Sequence, residues 1–211
     1  MQFYGQGKLD QYLYETFFKS APKGVFVECG AFDGHLESTC RFFEESLGWT
    51  GINVEPVPWA FERLVKNRPK CINLNCALSG ANSTAKFKHA VHPQRGQNFG
   101  NGSLKHTKEH MDDLIGQGCS FDEFDVSCRR FDDLVQENNL PDITLFVLDV
   151  EAHELEALDG IVPKVLPKVF CIEYTFVGLD NLKNKLKNNY NFHSLHEHNA
   201  MFVRKQCKQR M

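Results

Sequence analysis

One stretch restricts the fold of this chain more than any other: Val25-Phe26-Val27-Glu28-Cys29-Gly30-Ala31-Phe32-Asp33-Gly34. Gly24 punctuates its start, and the apolar run that follows reads as a buried strand of a parallel sheet over 25–29. Gly30 and Gly34 make a tight turn, and Leu36, Cys40, Phe43 and Leu47 then recur at helical spacing, which predicts a helix over 36–47. Strand, glycine turn and helix form the first unit of a doubly wound sheet, with its ligand at the carboxyl end of the strand. A dinucleotide turn of the form G-x-G-x-x-G lets backbone approach a pyrophosphate. Here bulky Phe32 stands two positions after Gly30, and an acid, Glu28, sits at the strand end. An anion is repelled there and a cation is welcome. S-adenosylmethionine (SAM) carries a sulfonium and an ammonium and no phosphate, so the turn favours SAM over NAD.

At 211 residues the chain suits one α/β domain over 1–211 with a sizeable core. Its hydrophobic content of 42% and charged content of 24% are those of a soluble globular protein. A net charge of -3 gives no electrostatic footprint for nucleic acid. The basic run at the tail, Arg204 to Arg210, reads as a solvated end. No apolar run approaches the roughly 20 residues of a membrane span. Met1 to Lys8 lacks the basic and apolar regions of a signal peptide. The eight cysteines form no C-x-x-C, which argues against zinc and for reduced, buried thiols in the cytoplasm. On that reading the sequons at Asn82 and Asn101 arise by chance.

Along the chain, Leu9, Leu13 and Phe17 predict a leading helix over 8–19, part of a cover formed by 1–22. After the first strand and helix, 52–55 is a second strand broken by Pro56 and Pro58, and Phe61, Leu64 and Val65 mark a helix. Residues 71–75 alternate as a third strand, and 83–91 and 124–128 also read as strands. Between the last two, 92–120 is rich in Gly, Asn, Gln and His, with little apolar periodicity beyond Met111 to Ile115. A loop so long inside a compact domain is usually functional or disordered, and we read it as the acceptor side of the site. Phe131, Leu134 and Val135 give the next helix, and 143–149, the most hydrophobic strand, belongs at the centre of the sheet. A helix with Leu155, Leu158 and Ile161, a strand over 169–173, a helix over 179–188 and an antiparallel pair over 190–196 and 199–204 complete the chain.

Several residues carry chemistry in this frame. Glu28 is placed to receive a ligand ammonium, and Gly30 and Gly34 allow close backbone approach, with Ala31 and Ser38 beside them. Glu55, before Pro56, stands where nucleotide folds grip ribose hydroxyls, which suits NAD and SAM equally. Asn75, Cys76 and Ala77 end the third strand where adenine is expected. Asp149, Glu151, His153 and Glu154 follow the central strand, as a general base, a site for a divalent metal (Mg or Mn) through Asp149 and Glu151, or the first turn of a helix. Asp149 ends a strand too apolar to carry a charge without reason. His153-Glu154 is not a zinc protease motif, since Ala157 stands where the second His is required. The spacing of these acids is no recognisable metal pattern.

Taken in order, Val27 to Gly34, Leu47-Gly48-Trp49-Thr50-Gly51-Ile52-Asn53-Val54-Glu55-Pro56, Asn75-Cys76-Ala77-Leu78-Ser79 and Leu148-Asp149-Val150-Glu151-Ala152-His153-Glu154 resemble the FkbM-type class I SAM-dependent methyltransferases. The entry segment Tyr4-Gly5-Gln6 with Leu9-Asp10 is similar too, so the likeness runs from residue 4 to about 175. Ala152 departs from the family's common glycine and Thr39 from its common asparagine. The resemblance implies a single-domain, Rossmann-like, seven-stranded mixed sheet with helices on both faces and an antiparallel pair at the C-terminal end. It implies SAM as methyl donor and a hydroxyl as acceptor, often of a sugar or glycan such as a terminal deoxysugar like rhamnose. A sugar hydroxyl is a poor nucleophile, so a base helps; Asp149 and His153 are the candidates, with Glu173 at the end of the 169–173 strand as a third. A small-molecule or lipid acceptor, or a SAM-binding module without catalysis, stays open; a dehydrogenase is disfavoured by Phe32.

Overall fold

The structure, a computed structural model, describes residues 1–205; the basic tail from residue 206 onward lies outside the described residues. Seven strands form the main sheet: β1 (Val25–Cys29), β2 (Thr50–Val54), β3 (Ile72–Leu74), β8 (Leu145–Leu148), β9 (Val169–Glu173), β10 (Tyr190–His196) and β11 (Asn199–Arg204). Their order is β10-β11-β9-β8-β1-β2-β3, parallel throughout except that β11 runs antiparallel to both neighbours. The expected seven-stranded mixed sheet with its closing antiparallel pair is therefore the observed one. The chain winds outward from β1 to β3 and returns to the other side of β1 as β8. A crevice opens at that reversal, above the carboxyl ends of the two strands.

Alternation along the central strands assigns the two faces. Val27, Phe146 and Leu148 pack on one side with Phe131, Leu134, Ala157, Leu158, Leu182 and Leu186 from α5 (Phe131–Glu137), α6 (Glu154–Asp159) and α7 (Leu179–Leu186). Phe26, Leu145 and Val147 pack on the other with Leu9, Leu13, Phe18, Phe42 and Phe43 from the leading segment and α2 (Arg41–Glu45). The leading helix, α1 (Leu9–Leu13), widens into a π turn over Tyr14–Phe18 and covers this face. Gly51 sits opposite Phe26, where an added Cβ would fall 1.9 Å from the ring.

Two expectations need correction. The predicted helix over 36–47 is helical only at Arg41–Glu45, and Leu36, its first apolar position, is exposed. The segment 92–120 is not a bare loop: it carries β6 (Gly102–Ser103) and α4 (Lys108–Gly116), and β7 starts at Ser120. Thr107 caps α4 by accepting the His110 N–H. A second sheet results, with order β4-β7-β5-β6, in which β5 (Ser83–Val91) pairs antiparallel with β7 (Ser120–Arg129), and β4 (Ala77–Leu78) lies parallel to β7. It shares a small core with α3 (Pro58–Asn67), made by Val57, Ala60, Ala77, Phe87, Val126 and Cys128. Seven cysteines are free thiols among the described residues. Both sequon asparagines are engaged: Asn82 bonds Asp133 and Arg130, and the Asn101 side chain faces His110.

Candidate active site

The turn after β1 is held from below by a buried ion network. Glu28 Oε2 accepts from Ser38 Oγ (2.7 Å), and Oε1 accepts the Cys40 N–H (3.0 Å). Arg68, just past α3, is 1% exposed; its guanidinium pairs with Glu44, donates to Ser38 Oγ at 3.0 Å and stands 3.6 Å from Glu28 Oε2. Burial raises the Glu28 pKa, opposed by Arg68 and by the bonds from Cys40 and Ser38. This network draws 31–40 into a loop in place of the expected helical turns. Both Glu28 oxygens have partners, and its charge is matched by Arg68. Gly34 packs on the same arginine at φ +69°, where a Cβ would lie 2.6 Å from Arg68 Cγ. Arg68 carried no signal in the sequence, since a lone basic residue after a helix is commonplace.

Above the network, Gly30 adopts φ +84°, and a Cβ there would fall 1.9 Å from the Asp149 carbonyl oxygen. Glycine is what lets the β1 turn touch the end of β8. Glu55 is buried, and its carboxylate accepts the N–H groups of Phe32 (2.8 Å) and Val57 (2.9 Å). Burial pushes its pKa up to about 7 against those two bonds. Beside it runs a narrow slot walled by Val57, Ala77, Leu78, Phe87 and Leu104, and lined also by Gly30, Glu55, Pro56, His89 and His153. His89 donates from Nε2 to the Gln97 carbonyl (3.0 Å), and its buried Nδ1 has no partner. The buried His153 Nδ1 likewise has none, while its Nε2 lies 3.3 Å from Ser79 Oγ. The slot thus offers apolar walls and the bare His89 lone pair, a fit for a flat heteroaromatic ring bearing an amine. Asn75 takes no part in the lining: its amide donates to the Glu55 carbonyl at 2.8 Å and ties β2 to the end of β3. Cys76 packs in the core instead.

Gly30 also opens onto a chamber of about 880 Å³, within the usual range for a ligand site. Its floor holds Glu28, Ala31, Ser38, Thr39, Asp149, Glu151 and Glu173, with Glu197 and His198 from the β10–β11 turn at one side. Residues Gln94, Arg95, Asn98, Phe99 and Asn101 close it from above. Asp149 follows β8, and Glu173 ends the adjacent β9. Burial pushes Asp149 up to about 6 and Glu173 up to about 9, so that the pair holds one proton between them at neutral pH. Burial, with Asp149 and Glu173 nearby, also raises Glu151 well above the usual range. Among the described residues no Lys or Arg pairs with these acids, so the chamber, more than Glu28, favours a positive ligand. Of the three expected base candidates, Asp149 and Glu173 are brought together, while His153 faces the slot. Of the two metal candidates, Asp149 has oxygens converging within 4.8 Å with those of Glu154 and Glu173, and Glu151 is not in that group. His198, which lowers the Asp149 pKa, and His89 were not anticipated; both lie outside the motif segments.

The loop after β8 stores strain. Glu151 adopts φ +53° and Ala152 φ +79°, so Ala152 occupies a left-handed conformation suited to the glycine common at this position in the resembled family. Ala152→Gly is expected to stabilise the protein by about 1 kcal/mol, raising Tm by roughly 2–4 °C, as read by thermal denaturation. An unchanged or lower Tm would mean that the buried Ala152 methyl is worth as much as the strain it costs.

With this geometry in view, known structures are informative. The FkbM methyltransferase of Methylobacillus flagellatus KT superposes with a TM-score of 0.54 at 16% identity, covering 92% of this chain and 50% of that one. The human methyltransferase 10 domain containing protein superposes at 0.50 with 9% identity, covering 94% and 80%. At such identity the likeness shows the fold alone, and this chain spans about half the length of the bacterial protein. No curated protein sequence matches it. The sequence profile described as the methyltransferase FkbM domain matches residues 28–210, from the buried acid Glu28 near the end of β1 to beyond the last strand, and the chain belongs to that family.

Proposed function

We propose that the protein transfers a methyl group from SAM to a hydroxyl oxygen of a sugar or glycan. The observation that carries this reading is the union, at Gly30, of an apolar slot beside Glu55 with a carboxylate-rich chamber. In it, Ala77, Leu78 and Phe87 enclose the adenine, the bare His89 nitrogen meets its amine, and Glu55 bonds the ribose through the second lone pairs of its oxygens. Asp149 and Glu173 face the cationic end. The donor, when bound, supplies a methyl group already activated for in-line displacement. The protein's own task is to seat the acceptor oxygen behind that methyl and exclude water. Asp149 accepts the hydroxyl proton, and Glu173 beside it orients its carboxylate. Residues 94–101 cover the acceptor.

The test is a methyl-donor assay against a panel of glycans, with mass spectrometry of the products; transfer to nitrogen or carbon alone would sink the hydroxyl reading. Titration calorimetry is expected to show SAM and S-adenosylhomocysteine binding and NAD not binding. Glu55→Ala should weaken SAM by about 1.5–3 kcal/mol through loss of bonds to a charged carboxylate, and unchanged affinity would move the ribose elsewhere. Limited proteolysis within 92–101 should slow when donor and acceptor are both present. Cleavage indifferent to ligands would leave this segment without a covering role.

A further inference from the structure

Behind the acceptor side of the chamber runs a chain of hydrogen bonds with one workable polarity. It starts at the Lys88 carbonyl oxygen in β5, 3.1 Å from His106 Nε2. His106 Nδ1 lies 3.2 Å from His110 Nδ1 in α4. His110 Nε2 in turn lies 3.1 Å from the Asn101 amide position occupied by Oδ1, which a half-turn of the amide exchanges for the nitrogen. A carbonyl only accepts, so His106 carries its proton on Nε2 and offers a bare Nδ1. His110 must therefore donate from Nδ1, which leaves its own Nε2 bare. Burial and the neighbouring His106 push the His110 pKa down to about 4, so the ring stays neutral. A bare nitrogen requires a donor, and the Asn101 amide can supply one only by turning its NH2 inward.

The ring that imposes this is well fixed. His110 is 2% exposed and stacks on Phe176 with centroids 4.1 Å apart and planes at 9°. The Glu151 carboxylate stands off from its Nε2 at 3.8 Å. Asn101, Phe176 and Glu151 all line the chamber. We propose that the His106–His110 chain locks Asn101 with its carbonyl oxygen toward the chamber, so that this wall takes an acceptor hydroxyl as hydrogen-bond donor beside the apolar face of Phe176. An oxygen acceptor next to an aromatic face recognises an uncharged sugar and rejects phosphate or carboxylate at that spot. Asn101 is thus a specificity-determining residue, and His106 and His110 are positioning residues. The proposal rests on the reading of the chamber as the site of a hydroxyl acceptor.

Two measurements test it. Imidazole ¹⁵N–¹H correlation spectra of the intact protein are expected to show His106 protonated on Nε2 and His110 on Nδ1. A proton on His110 Nε2 would overturn the locked amide, whatever the activity. The second uses methyl α-glycosides of rhamnose, fucose, glucose and mannose as acceptors. His110→Phe keeps the stack but frees Asn101 to turn, and should raise the acceptor KM about five- to tenfold, the worth of one hydrogen bond. The change in kcat should be smaller and SAM affinity unaltered. Adding Asn101→Asp, whose carboxylate accepts in either orientation, should restore the KM. A KM that never rises, or that the aspartate fails to rescue, defeats the proposal. Wild-type protein that binds SAM but methylates none of the glycosides would remove the sugar reading and the sugar specificity together, while the spectra still decide the polarity of the chain.

Discussion

Asp149→Asn is expected to cut methyl transfer by about a hundredfold or more, the usual worth of a general base, while SAM still binds. Asp149 and Glu173 share the crevice end of β8 and β9, and with apparent values of about 6 and about 9 they hold one proton between them at neutral pH. Wild-type turnover should therefore rise as pH climbs through about 6, and the variant should lack that limb. Stability moves the other way. Both folded values lie above the ordinary 3.8 and 4.5, so from roughly pH 4 to 9 the folded state binds more protons than the unfolded state. The pair's contribution then falls as pH rises through that window. Asp149→Asn should accordingly stabilise the ligand-free protein at pH 8 more than at pH 5, by on the order of 1 kcal/mol once water in the open chamber is allowed for. Urea denaturation at the two pH values measures this. Full turnover, or the same stability change at both pH values, would show that Asp149 is not the coupled base.

Arg68→Met is expected to cost about 3–5 kcal/mol, because it leaves buried carboxylates without their cation. The urea midpoint should drop by on the order of 1.5 M. Glu28 already titrates above its usual value through burial, with Arg68 the main opposing influence. Without the arginine its pKa rises further, so the penalty is largest at pH 8 and shrinks as pH falls and Glu28 takes up a proton. Adding Glu28→Gln to Arg68→Met should recover part of the loss at pH 8. A single variant equally destabilised at pH 5 and 8, with no recovery in the double, would mean that Arg68 acts by packing alone, through its stem against Gly34 and its face over Phe26.

What was legible in the sequence depended on whether the cause was local. Val25 to Cys29, Val169 to Glu173 and the two closing strands announce themselves by apolar composition and alternation, and all form as read. Gly30 was legible because a turn that touches a neighbouring strand tolerates no side chain. The stretch from Leu36 to Cys40 misled because its helical spacing is genuine, yet Asp33 captures the His35 and Leu36 N–H groups, and Glu28 captures that of Cys40. Tertiary bonds there outweigh a weak helical preference. The pairing of Ser83–Val91 with Ser120–Arg129 was hidden because the two strands are separated by a polar segment whose order comes from histidine and asparagine bonds. Hydrophobic periodicity is blind to such bonds. The acids after β8 were visible as a motif, but their division between chamber and slot depends on a backbone that turns left-handed at Glu151 and Ala152.

The position of β1 between β2 and β8 also sets the order in which the molecule can be built. Val27 pairs with Ile52 on one side, soon after it is made, and with Phe146 on the other, only after most of the chain has emerged. The smaller sheet draws all its strands from residues 77–129, so its partners are close in sequence and can close early, with a modest loop to order. During synthesis the nascent chain thus carries a finished small sheet while one edge of β1 is still bare, exposing Phe26 and Val27 to other chains. The crevice is the last part to be assembled, since it does not exist until β8 zips onto that edge. Amide protons of β8 should accordingly gain protection late in refolding, after those of β5 and β7, in a pulse-labelling experiment.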